Sequence, residues 1–331
     1  MGLLVNGVWQ DKWYETEKTG GHFVRPQTAF RNWVTPDGGP GPSGAGGFAA
    51  APDRYHLYVS LACPWAHRTL IFRRLKKLER IISVSVVDPF MGSQGWAFGA
   101  PDGSLTPGAT ADDVNHARYL HQVYTKAKPD YTGRVTVPVL WDKHTGTIVN
   151  NESAEIIRML NSAFDAWGDA TVDFYPRELR REIDELNAYV YENVNNGVYR
   201  CGFATTQAAY EAAFGSLFEA LERIEERLST RRYLTGPHLT EADWRLFTTL
   251  VRFDAVYYGH FKCNLRRIAD FPKLSNYLRE LYQVPGVAET VNLAHIKRHY
   301  YASHVQINPT RIVPVGPALD FSATHDRARL S

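Results

Sequence analysis

The chain has 331 residues, with 37 Lys and Arg against 35 Asp and Glu for a formal net charge of +2. Its 44% hydrophobic and 22% charged composition is that of an ordinary globular protein of about two domains. The balanced charge speaks against a dedicated nucleic-acid binder, no apolar run reaches the ~20 residues of a membrane span, and Met1-Gly2-Leu3-Leu4-Val5-Asn6-Gly7 is not a signal peptide.

Residues 1–52 read as an extended arm. The run Gly38-Gly39-Pro40-Gly41-Pro42-Ser43-Gly44-Ala45-Gly46-Gly47 is loop by composition, and Trp9, Trp13, Phe23, Phe30 and Trp33 fall without period, as anchors to the body. From Asp53 the pattern becomes regular. Tyr55–Val59 alternates as a strand, Cys63-Pro64 opens a helix to about Lys77, and Ile81–Val87 is β-branched, which together make a βαβ unit. An irregular insertion over 89–133 follows, with a short helical pattern around Tyr119–Tyr124. Val135–Trp141 and Thr147–Asn150 read as strands joined by the turn His144-Thr145-Gly146, and Ser153–Asn161 as a helix. Residues 53–168 are therefore an α/β unit, with a linker near Trp167–Asp173. Beyond it the apolar residues keep helical spacing, as in Leu179, Ile183, Leu186, Val190 and Val194. Thr240-Glu241-Ala242-Asp243 carries an N-cap and acids in a first turn. Residues 169–331 read as all-helical with an irregular tail.

The three cysteines, Cys63, Cys201 and Cys263, are odd in number, far apart and free of any CxxC pairing. That excludes a disulfide framework, speaks against a thiolate zinc site and suits a reducing, cytoplasmic compartment. Cys63 lies between a strand and a helix whose first position is Pro64. A sulfur there faces the positive end of the helix, which stabilises a thiolate, the reactive form. Cys201 and Cys263 have no such placement and read as structural. Three residues past Cys63 stands Ala66, not a second cysteine, so a mixed disulfide on Cys63 needs an outside thiol for its resolution, and glutathione is the abundant candidate. A second constellation is Val137-Pro138 with Asn151-Glu152-Ser153. A cis bond before Pro138 would turn the Val137 backbone towards a peptide ligand, and a helix opening at Glu152 and Ser153 offers partners for an α-ammonium and a carboxylate. By itself this pattern is equally an edge-strand proline beside an ordinary N-cap.

Together, Tyr58–Arg68, Arg134–Asp142, Asn151–Ile156, the arm segment Phe30-Arg31-Asn32-Trp33 and Asn195-Asn196-Gly197-Val198-Tyr199 resemble the glutathione S-transferase superfamily. More narrowly they resemble its Xi class, the glutathionyl-hydroquinone reductases. The resemblance implies a thioredoxin-like glutathione-binding domain, a helical C-terminal domain and a homodimer. It implies glutathione as cosubstrate, with no metal and no nucleotide. It implies Cys63 as the nucleophile, Tyr199 as proton donor and acceptor, and Tyr257 and Tyr300 as phenols near the thiolate. Glutathione contacts are implied at Trp96, Arg134, Val135, Thr136, Val137, Glu152 and Ser153. Asn195-Asn196-Gly197 reads as a helix end from which Tyr199 projects, though with 18 tyrosines simple packing would also account for it. Trp96, in Gly95-Trp96-Ala97-Phe98-Gly99, is either a lid or a surface anchor.

Three signals carry no weight. Gly39–Gly44 spells GxGxxG but follows no strand and opens no helix. His295 and His299 are four apart without a third metal ligand. Arg73-Arg74 with Lys76-Lys77 reads as a solvated helix face. The function expected is glutathione-dependent reduction of glutathionyl-hydroquinones. The alternatives are a broader cysteine-type thiol transferase such as a dehydroascorbate reductase, or a non-catalytic assembly module.

Overall fold

The computed structural model describes residues 2–100 and 102–330. The chain opens with a hairpin, β1 (Leu3–Val5) and β2 (Val8–Gln10), whose turn residues Asn6 and Gly7 have φ of 48° and 77°. Paired positive φ is what an Asn-Gly turn supplies. Then come β3 (Tyr55–Val59), α1 (Pro64–Leu75), β4 (Ile82–Val86), α2 (Leu120–Ala127), β5 (Gly133–Arg134), β6 (Val139–Asp142), β7 (Thr147–Asn150) and α3 (Ser153–Ser162). The remainder is helical: α4 (Arg180–Val190), α5 (Gly197–Gly202), α6 (Gln207–Arg227), α7 (Glu241–Arg252), α8 (Tyr258–His260), α9 (Pro272–Tyr282) and α10 (Leu293–Ser303). Among the described residues no helix is long and apolar enough to cross a membrane.

The chain folds into two compact units that are not contiguous in sequence. The first takes the chain up to Trp13, residues 26–172 and residues 290–303; the second takes 14–25, 173–289 and the chain from 304 on. In the first, a mixed sheet runs β4-β3-β6-β7, with β3 parallel to β4 and antiparallel to β6. All five residues of β3 are buried, as a central strand covered on both faces requires. α1 packs on α3.

The expected strand 135–141 is shortened to its second half. Pro138 has no N–H for a ladder, the bond before it is cis, and β6 starts only at Val139. Gly133 and Arg134 pair instead with β1, in a second sheet ordered β2-β1-β5. The arm therefore supplies two strands rather than only an extended strap. It is held to the body largely by polar contacts: Asn32 N–H donates to the Val149 carbonyl at 3.0 Å, Asn150 Nδ2 to the Asn32 carbonyl at 2.9 Å, and Arg31 pairs with Glu155.

The basic run at the end of α1 is only half a solvated face: Arg74 and Lys77 are exposed, whereas Arg73 and Lys76 turn inward. Lys76 is fully buried and its ammonium donates to Asp165 at 2.8 Å and to the Val172 carbonyl at 2.6 Å. Arg73 Nε donates to the Ile82 carbonyl at 2.6 Å, and its burial lowers the guanidinium's pKa. These bonds tie the exit of α1 to its neighbours. α10, helical in sequence and expected with the helical half, belongs to the first unit. Its Ser303 hydroxyl accepts from Met91 N–H at 2.9 Å, while His295 and His299 donate to the carbonyls of Pro107 (2.8 Å) and Pro89 (3.1 Å). It thus buttresses the 89–133 insertion, and its histidines serve that purpose. Among the described residues no group of three His, Cys, Asp or Glu side chains could hold a metal ion.

The second unit centres on α7, all twelve residues of which are buried. Thr240 and Asp243 form a capping box at its start. Asp243 also accepts from Leu234 N–H at 2.9 Å and from the Tyr277 hydroxyl at 2.6 Å. The tail returns to this unit through buried Arg327, whose guanidinium donates to the carbonyls of Leu228, Arg231 and Arg232.

Candidate active site

Cys63 is the N-cap of α1, in extended conformation (φ −76°, ψ 123°), with Pro64 in the first turn. The sequence dictates this: an extended cap residue is what the following Pro favours, and Pro at the first helical position forfeits an N–H that has no helical partner anyway. Cys63 is partly exposed, whereas Cys201 and Cys263 are buried, and no disulfide links the three. Burial and the adjoining Cys201 push the Cys263 thiol well up, away from reactivity. The Cys63 thiol donates to the Val137 carbonyl at 3.5 Å. The cysteine and the residue before the cis proline therefore adjoin.

A network around Val137 fixes that loop. The Tyr124 hydroxyl, carried on α2, donates to the Thr136 carbonyl at 2.8 Å and accepts from Asn151 Nδ2 at 3.1 Å. Tyr124 is fully buried, which raises its pKa and keeps it neutral. The Thr136 loop and the Asn151 segment are thereby clamped to one phenol. Sequence reasoning missed this residue; its place one helical turn beyond Leu120 looks like ordinary core packing. Tyr124→Phe is expected to leave buried polar partners unsatisfied and to lower unfolding stability by about 1–3 kcal/mol, with a raised KM for glutathione. A urea titration with initial rates at varied glutathione checks both; an unchanged midpoint and KM would remove the clamp from the account.

Glu152 is the N-cap of α3: its Oε1 accepts from Ala154 N–H at 3.1 Å, and Thr28 donates to its Oε2 at 3.3 Å. Ser153 is buried, and its hydroxyl accepts from Arg68 Nη1 at 3.3 Å. Arg68 is a second residue missed. It is 1% exposed, its guanidinium lies 4.6 Å from the Trp65 ring, and it was in plain view in the cysteine motif without an assigned part. Arg134 donates to the backbone carbonyls of Lys12 (Nη1) and Trp13 (Nη2, 2.9 Å), so this side chain holds the arm. Val135 and Val137 are buried. Trp96 is buried too, stacked on His299 at 4.6 Å between ring centroids and 23° between planes. It is packed in place and is not a surface anchor. Tyr300 lies on α10 beside His299 and is 1% exposed. Cys63, Trp96, Arg134–Val137, Glu152, Ser153 and Tyr300 all fall in the first unit.

Tyr199 and Tyr257 fall in the second unit. Asn195-Asn196-Gly197 does not end a helix there, contrary to expectation. The backbone passes from α4 through one π-helical turn, Tyr191–Asn195, straight into α5. The reason is Asn195, whose buried Nδ2 donates to the Arg245 carbonyl at 2.9 Å and to Thr249 at 2.8 Å, so its amide serves α7 rather than a left-handed cap. A second π turn, Phe253–Tyr257, carries Tyr257 at its last position. Each tyrosine is thus set by an inserted residue that re-aims the helix, a device concentrated at functional sites. Their rings lie 6.1 Å apart, and both pack on Phe261 at 5.4 Å.

A thioredoxin-like βαβ-ββα unit with a partly exposed cysteine at the N-cap of its first helix, together with a helical unit, is an architecture of the glutathione transferase class. Residues 62–163 match the family model for the glutathione S-transferase N-terminal domain and residues 207–280 that for the C-terminal domain. The chain is 59% identical over 327 residues to glutathionyl-hydroquinone reductase YqjG of Escherichia coli, covering 99% of this chain and 98% of that one. It is 57% identical to glutathionyl-hydroquinone reductase PcpF of Sphingobium chlorophenolicum over 96% of this chain and 97% of that one. The glutathione-bound structure of YqjG superposes with a TM-score of 0.90 over 99% of each chain at 55% identity. The Xi-class transferase of Natrialba magadii gives 0.90 at 50% identity, over 100% of this chain and 98% of that one. The chain belongs to the glutathione S-transferase superfamily, in its Xi, glutathionyl-hydroquinone reductase branch.

Proposed function

We propose that this protein reduces glutathionyl-hydroquinones to hydroquinones at the expense of glutathione. The observation that carries the reading is Cys63 at the N-cap of α1 with its sulfur at the Val137 carbonyl, and with Ala66 where a resolving cysteine would stand. The Cys63 thiolate attacks the glutathionyl sulfur. A sulfur–sulfur bond forms, the aryl carbon–sulfur bond breaks, and its electron pair stays on the ring carbon. Tyr199 delivers the proton that converts this carbanion to the hydroquinone. A second glutathione thiolate then attacks the mixed disulfide, releasing oxidised glutathione and restoring Cys63.

In this reading Trp96, Arg134, Val135, Thr136, Val137, Glu152 and Ser153 hold the glutathionyl group, and the phenols of Tyr257 and Tyr300 donate to the Cys63 thiolate and lower its pKa. We place the protein in the cytoplasm, where a partly exposed catalytic thiol stays reduced, and expect it to work as a homodimer. The test is intact mass after treatment with glutathionyl-hydroquinone and no added thiol. One glutathione adduct, mapped to Cys63 and matched by one hydroquinone released, is the expected result. Hydroquinone formed without an adduct would overturn the mechanism. Adduct formation only from simple glutathione disulfides would favour a general thiol transferase.

A further inference from the structure

The arm segment 14–25 folds onto the second unit and delivers one cation to Tyr199. Its placement is secured by residues next to α5 and α6. Thr205 N–H donates to the Gly21 carbonyl at 3.1 Å, Thr206 Oγ1 to the Gly20 carbonyl at 3.0 Å, and the hydroxyls of Thr16 and Thr205 lie 2.8 Å apart. Gly21 has φ 86°, and a Cβ there would come within 2.4 Å of Thr206 Oγ1, so only glycine permits this approach. Phe23 meets Phe203 edge-on at 5.1 Å and Tyr14 at 4.8 Å. The outcome is that Arg25 lies with its guanidinium carbon 4.7 Å from the Tyr199 ring centroid and 5.2 Å from that of Phe23. Arg25 Nε donates to Asn196 Oδ1 at 3.0 Å, which orients the guanidinium. Asn196 is buried and three residues before Tyr199.

We infer that Arg25 is a positioning residue for the proton-transfer step, acting through Tyr199. A cation over an aromatic face is attracted to the ring's π density, and the attraction grows as the ring gains negative charge. When Tyr199 gives its proton to the ring carbon of the departing hydroquinone, it becomes a phenolate, and Arg25 stabilises that state more than the neutral phenol. The other rings packed on Tyr199, those of Phe203, Tyr257 and Phe261, bring no formal positive charge. Glu192, in the same cavity as Arg25, is paired with Arg200. The inference rests on the reading of Tyr199 as proton donor.

The test compares Arg25→Gln, Arg25→Lys and Tyr199→Phe in the full-length protein, following hydroquinone release and, separately, reduction of a simple glutathione mixed disulfide. Arg25→Gln is expected to slow hydroquinone release about fivefold, and Arg25→Lys to fall between Arg25→Gln and the parent, because lysine keeps the charge but loses the Nε donor that Asn196 holds. Reduction of the simple disulfide stays at the parental rate in both, which also reports that they are folded. In a Tyr199→Phe background Arg25→Gln adds no further loss. If Tyr199→Phe slows hydroquinone release while Arg25→Gln does not, or if Arg25→Lys is as slow as Arg25→Gln, Arg25 has no electrostatic part and this inference fails alone. If Tyr199→Phe itself is silent, the reading of Tyr199 fails and takes this one with it.

Discussion

Cys63→Ser is expected to lose glutathionyl-hydroquinone turnover by about 10⁴-fold or more while leaving the fold at least as stable. The two halves of that result come from one position. As nucleophile, the residue must be ionised near neutral pH and must form a sulfur–sulfur bond; a serine hydroxyl does neither. As N-cap of α1, the residue needs an extended backbone and a small side chain, and serine is a better cap than cysteine. Thermal unfolding should therefore show an unchanged or raised midpoint. Product chromatography should show no hydroquinone above the uncatalysed background. A Cys63→Ser protein that kept a tenth of the parental rate would show that another group attacks the substrate.

Tyr199→Phe is expected to lower hydroquinone release by about 10²-fold and to change reduction of a simple glutathione mixed disulfide by less than about twofold. The contrast follows from the leaving groups. In a disulfide the departing atom is sulfur, which is stable as a thiolate. In glutathionyl-hydroquinone it is a ring carbon, far more basic, and without a positioned acid the bond does not break at a useful rate. Tyr199 is 8% exposed and packed against Phe203, Tyr257 and Phe261, so removing its hydroxyl leaves the ring in place. Parallel stopped-flow and product assays separate the two reactions. Equal losses in both would strip Tyr199 of its assigned part.

Local signals read well where the chemistry was local. The alternation of Tyr55–Val59 and the Cys63-Pro64 helix start specify β3 and α1 without help from distant residues. The hairpin of the arm was equally local, and Asn6-Gly7 between apolar pairs is a hairpin signal that the reading as a plain extended arm passed over. Asn195-Asn196-Gly197 failed for the opposite reason. It has the composition of a helix end, but the buried Asn195 amide bonds α7 some fifty residues away, and that partner decides the backbone. Lys76 and Arg73 failed likewise, because the carbonyls and the carboxylate that take them in lie elsewhere in the chain. In the candidate site, the cysteine and its missing partner at Ala66 were legible as chemistry. Tyr124 and Arg68 were not: their function is to hold Thr136, Asn151 and Ser153, and no spacing rule announces it.

The chain passes between its two units five times, at 13/14, 25/26, 172/173, 289/290 and 303/304. That count has a consequence for how the protein comes to exist on a ribosome. Nascent domains ordinarily fold in order of emergence, amino-terminal first. Here the sheet and Cys63 emerge early, but α10, which stacks His299 on Trp96 and carries Tyr300, is made only after residue 290. The first unit must wait for nearly the whole second one to be synthesised. The first unit, Cys63 included, is consequently not whole until residue 303 has been made, and no single cut, whether by protease or by gene rearrangement, releases either unit intact.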